Sequence, residues 1–105
     1  MKLAKHLWSI ACETKEALIR KYKIKEPKSF KRLHKLDDCA KNSFGHCSEA
    51  GMRIGLKNPR TGRYARWETI INTVCHEMAH IKHLHHKKNW FRLYRRYFRY
   101  IMRKL

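Results

Sequence analysis

Acidic residues are scarce: eight Asp and Glu stand against 26 Lys and Arg in 105 residues, a formal net charge of +18. Glycine (4) and proline (2) are too few for a collagen-like or linker-like chain. Apolar runs extend over only a few residues, which excludes a helix that spans a bilayer. The opening MKLAKHLWSIACETK is broken by His6, Ser9 and Glu13 and does not read as a signal peptide. The four cysteines form no CxxC pair, so free thiols in a reducing, intracellular setting are expected. What is present is a core. At 43% hydrophobic and 11% aromatic, the chain has enough apolar material for one folded domain over residues 1–105 and too little length for two.

The pattern of apolar residues divides that domain. Leu3, Leu7, Ile10, Leu18 and Tyr22 recur mostly at three- and four-residue spacing and predict a first helix over residues 2–22, with Pro27 interrupting the pattern beyond it. Phe30, Leu33 and Leu36 predict a short second helix or a packed turn, and Asn42 to Gly51 reads as loop. Met52, Ile54 and Leu56 alternate with Arg53, Gly55 and Lys57, as a strand with one buried face does. NPRTG, from Asn58 to Gly62, has the composition of a turn. From Arg66 to Leu84, the residues Trp67, Ile70, Ile71, Val74, Met78 and Ile81 form an apolar stripe within roughly 100° on a helical wheel. A last helix over 89–105 puts Trp90, Tyr94, Tyr97, Phe98 and Ile101 on one side.

On the far side of the third segment from its apolar stripe lie His76, His80 and His83. Residues 76–80 read His-Glu-Met-Ala-His. Two histidines four apart on a helix project side by side and can share one zinc ion, while Glu77 beside the first reaches a metal-activated water as general base. A catalytic zinc wants a third protein ligand. No Asp or Glu follows Glu77, which removes a downstream carboxylate and leaves His83, His85 and His86. The Cα of His83 stands about 10.5 Å along a straight helix from that of His76, too far for comfortable sharing. His86 folds back if the helix ends near His83 to His85, which makes it the first choice and His85 the second. Cys12, Cys39, His46 and Cys47 fit no common zinc spacing, and His6 and His34 read as surface residues.

The stretch HEMAHIKHLHHKKNWF is similar to the metal-binding segment of the SprT-like, WLM and YgjP-like zinc metallopeptidases. In the YgjP-like branch a histidine falls ten residues after the first, the position of His86, with aromatics following as Trp90 and Phe91 do. FGHCSEAGMRIGL resembles the Gly-x-Cys segment and strand before the motif, and ETIINTVCHEMAH resembles the motif helix. The likeness runs from Phe44 to Phe91 and leaves the first forty residues and the arginine-rich end unexplained. It implies an α+β fold, a compact minimal zincin with a small β-sheet and an active-site helix beneath an edge strand, to which the apolar spacing adds the flanking N- and C-terminal helices. It further implies Zn2+ on His76, His80 and His86, with Glu77 as base in peptide hydrolysis. No glycine stands between His80 and His86 to ease the turn.

Charge points to a second partner. Lys and Arg number 12 in residues 1–41, 5 in 42–77 and 9 in 78–105, so the flanks carry the charge around the motif segment. Such flanks suit a polyanion, nucleic acid (DNA) first and anionic membrane second. Some relatives digest proteins crosslinked to DNA, which implies a nucleic-acid-associated protein substrate here. The candidate contacts are Arg92, Arg95, Arg96, Arg99 and Arg103. The interleaved Trp90, Tyr94, Tyr97 and Tyr100 either stack on bases or fill the core. The alternative reading is a small basic nucleic-acid-binding protein in which zinc is structural or vestigial.

Overall fold

The computed structural model describes residues 2–33, 45–48, 51–58 and 60–105, apart from the side chains of His46 and Ser48. His34, Leu36 and Cys39 lie outside the described residues. Helix α1 spans Lys2–Tyr22, and its buried face is largely built of small side chains: Ala4, Leu7, Ala11, Thr14, Ala17 and Leu18. The alanines let α1 approach its neighbours closely, whereas Leu3, expected in the apolar stripe, is exposed. The helix ends before Pro27 is reached. Lys23 takes a left-handed conformation (φ 53°), and the Ile24 amide donates to the Ile19 carbonyl at 3.3 Å. That is the six-to-one bond of a Schellman stop, with buried Ile24 as its apolar contact.

Three strands follow, β1 (Phe30–Leu33), β2 (Gly45–Ser48) and β3 (Gly51–Gly55), in the order β1-β3-β2. The helix or turn expected at Phe30 to Leu36 is therefore a strand over its described part, parallel to β3, with Phe30 beside Met52 and Leu33 beside Gly55. Short apolar spacing of this kind fits either period, and pairing with β3 decides it. The loop expected at Asn42 to Gly51 also contains a strand: β2 runs antiparallel to β3, placing Gly45 opposite Ile54 and Cys47 opposite Met52. Met52, Ile54 and Leu56 are fully buried, as their alternation predicts, although Leu56 lies just past the strand's end. At Asn58 to Gly62 the chain turns. The Asn58 side chain accepts from the Arg60 amide at 2.8 Å, the Gly62 amide donates to the Asn58 carbonyl, and Lys57 bridges Tyr64.

Helix α2 (Trp67–His80) is the centre of the molecule, packed between α1, α3 and the inner side of the sheet. Ile70, Ile71, Val74 and Met78 are buried as the stripe requires, but Trp67 at its start remains 41% exposed. The helix also stops earlier than the stripe, at His80. Amides of Ile81, Lys82 and His83 tighten onto the carbonyls of Met78 and Ala79 at 3.1–3.3 Å, so the turn is made without glycine. Helix α3 (Lys88–Lys104) returns along α2 with Trp90, Tyr97 and Ile101 buried. The whole is an α+β fold in which α2 packs on the small sheet and α1 and α3 pack on α2.

Candidate metal centre

The early end of α2 brings the candidate ligands together. Residues 81–87 double back, and the side-chain nitrogens of His76, His80 and His86 all lie within 4.8 Å of one another. His86 Nε2 stands 3.0 Å from His80 Nε2 and 3.4 Å from His76 Nε2. Ligands held 2.0–2.1 Å from a tetrahedral zinc are about 3.3 Å apart, so the two separations from His86 match one shared cation and the third stays within 4.8 Å. Among the described residues this is the one cluster of three or more His, Cys, Asp or Glu with that convergence. His83 and His85, the other candidates for third ligand, are outside it.

The donor chemistry fits a cation as well as the distances do. His80 Nδ1 lies 2.9 Å from the His83 carbonyl, an acceptor, so that nitrogen carries the proton and Nε2 presents a lone pair. A proton shared within the cluster satisfies one pair of nitrogens; a cation satisfies all three. Burial, followed by the charges of His80 and His86, lowers His76 to about 4, which keeps its imidazole neutral and ready to ligate. Burial lowers His80 too, opposed by its bond to the His83 carbonyl.

Trp90 forms the wall of the site. Its indole N–H donates to the His76 carbonyl at 3.3 Å, and its ring stacks on His80 with centroids 5.2 Å apart. Tyr94 stacks in turn on Trp90, and its hydroxyl donates to the Asn72 side-chain oxygen. Asn72 lies one helical turn before His76, so this pair fixes α3 against the ligand-bearing face of α2. Base stacking is thus not open to most of these aromatics: Trp90 and Tyr97 are buried and Tyr94 is half-buried against the site.

Glu77, beside the histidine face of α2, is nearly enclosed, 5% exposed. One carboxylate oxygen lies 3.8 Å from His76 Nε2, beside the cluster. Burial raises the carboxyl to about 7. The enclosure comes from β2, the edge strand beside α2. A Cβ on Gly45 would stand 2.9 Å from the Thr73 methyl and 3.1 Å from Glu77 Cγ, so glycine is what allows the strand to lie against the helix here. Cys47, on the same strand, has its thiol raised by burial and by the charge of Glu77.

Sequence reasoning had no signal for the His83 contribution, because a main-chain oxygen makes it. Asn72 could have been found as a polar residue on the histidine face, four before His76. Neither the curated proteins nor the solved structures contain a match to this chain. A family model does match: the WLM domain model aligns with residues 5–99, nearly the full length, and the chain therefore belongs to the WLM domain family, whose members are metallopeptidase-like.

Proposed function

We propose that this protein is a zinc metallopeptidase that hydrolyses peptide bonds in proteins associated with nucleic acid. The observation that carries the reading is the trio of converging imidazoles with an enclosed carboxylate 3.8 Å from one of them. Membership of the WLM family supports it, and the charge of +18 supports the choice of substrate.

In this reading His76, His80 and His86 hold Zn2+, which when bound supplies Lewis acidity toward water and toward the scissile carbonyl. Glu77 takes the proton from the attacking water and later returns it to the leaving amine. Burial raises this carboxyl in the metal-free chain and so favours its taking up a proton, which a bound cation would offset in part. The His83 carbonyl holds His80 in the ligating tautomer, and Trp90 and the Asn72–Tyr94 pair keep the ligand face in position.

Elemental analysis combined with cleavage of a denatured protein substrate tests the proposal. Glu77→Gln is expected to retain zinc and lose cleavage by a factor of about 100 or more. Unchanged cleavage in that variant refutes Glu77 as base. Wild-type protein that holds zinc and cleaves nothing leaves the alternative, a basic binding protein with a structural ion.

A further inference from the structure

The outer face of α3 carries a feature that peptide hydrolysis does not use. At 100° per residue, Arg92, Arg95, Arg96, Arg99 and Arg103 fall within one arc of about 100°, opposite Trp90, Tyr97 and Ile101. All five are exposed. With Lys21 and Tyr22 from the end of α1 they line a groove of about 480 Å³. Among the described residues no carboxylate is within ion-pairing distance of any of them. Arginines three and four apart repel one another, so the stripe is unfavourable to the free helix and an anion relieves it.

We propose that this groove docks the sugar–phosphate backbone of a nucleic acid without reading its bases. From Arg92 to Arg103 the helix rises about 16 Å. Successive phosphates of one duplex strand wind round the axis as they rise, so a straight helix of that length meets about three of them, with the arginines on both sides of the arc reaching toward each. The guanidinium fork suits phosphate oxygens, which it grips in pairs. The aromatics at the groove are already engaged. Tyr22 packs on Tyr97 and Tyr100 with centroids 4.9 and 5.8 Å away, and Tyr100 lies between the ammonium groups of Lys21 and Lys104 at 5.5 and 5.4 Å. An anionic membrane is the weaker partner, because a helix that lies in a bilayer surface needs its apolar face free, and that of α3 is buried in the domain. Trp90 faces the histidines from the same helix, so the polymer docks behind the metal centre. A protein attached to that polymer is thereby held near the cleft, and this consequence rests on the peptidase reading.

The test reads binding alone, in chelator, so that it stands or falls separately from peptidase activity. Anisotropy of a short fluorescein-labelled duplex is followed from about 50 to 200 mM salt. Three phosphate contacts predict an affinity loss of about 40-fold over that range, and the triple variant Arg92→Ala, Arg96→Ala, Arg99→Ala is expected to bind more weakly throughout and to lose only about 4-fold or less. Replacing the same three by glutamine, an uncharged good helix former, is expected to flatten the slope equally, and it decides the matter if the alanine variant loses its helix by circular dichroism. Lys5→Ala, Lys31→Ala, Arg53→Ala removes equal charge from a different basic groove, beside Trp8 and Phe30, and is expected to keep the slope. The proposal is overturned if that control flattens the slope as much as the α3 variant does. It is equally overturned if duplex binding ignores salt, or if phosphatidylserine vesicles bind and the duplex does not.

Discussion

Glu77→Gln tests how the fold encloses its carboxylate, independently of any catalysis. In metal-free protein, burial raises this group from 4.5 to about 7. Because the folded-state value is above the unfolded one, its contribution to stability is complete below pH 4.5 and is lost as pH rises through 7. Above that pH the folded chain must hold a charged group that is 5% exposed. The shift is about 2.5 units, and at about 1.36 kcal/mol per unit it corresponds to about 3 kcal/mol. Glutamine has nearly the same shape and does not titrate, so the variant escapes this loss. His76, 3.8 Å away and lowered to about 4, acts on the acid side, between about 6.5 and 4, in both proteins. Guanidinium unfolding in chelator, followed by circular dichroism at pH 5 and pH 8.5, measures the difference. The stability of Glu77→Gln relative to wild type is expected to improve by about 3 kcal/mol from the lower pH to the higher. A difference that is the same at both pH values refutes the enclosure.

Further outcomes follow from particular contacts. His86→Ala is expected to lower zinc affinity by a factor of about 100 or more in a competitive chelator titration, while His85→Ala and His83→Ala leave it nearly unchanged, the latter because its carbonyl belongs to the main chain. Gly45→Ala is expected to destabilise the fold by about 1–3 kcal/mol in chemical denaturation, since the added methyl meets Thr73 and Glu77. Lys23→Gly is expected to raise stability by up to about 1 kcal/mol, because the left-handed residue that ends α1 then carries no Cβ. Met78→Ala, which empties a fully buried position on α2, is expected to cost about 2–5 kcal/mol.

The helices were legible in the sequence because each carries its own period. Ile70, Val74 and Met78 mark the inner face of α2 whatever they pack against, and Trp90, Tyr97 and Ile101 do the same for α3. The sheet was legible only at β3, where Met52 and Ile54 alternate with Arg53. Phe30–Leu33 is a strand because β3 lies beside it, and no local pattern carries that information. Gly45–Ser48 read as loop because glycine and serine are poor strand formers, yet glycine is what close packing on Thr73 and Glu77 demands. At the metal centre, His76 and His80 follow from helical spacing alone. The position of His86 depends on where α2 ends, which hydrogen bonds of Ile81, Lys82 and His83 determine and residue types only weakly signal. The depth of Glu77 was not legible, since it is set by a strand distant in sequence.

Because residues 81–87 double back, an ion held by His76, His80 and His86 would clasp the end of α2 to the segment that leads into α3. Two of its attachment points are on α2 and the third is on the connecting segment, whose Leu84 is 82% exposed and packs on little else. Stripping such a cation would release one end of that connection while the apolar seam between the helices stays closed. Lys82, Lys87 and Lys88 flank the freed stretch, and trypsin would nick a demetallated chain there first, turning loss of the cofactor into irreversible destruction of the site.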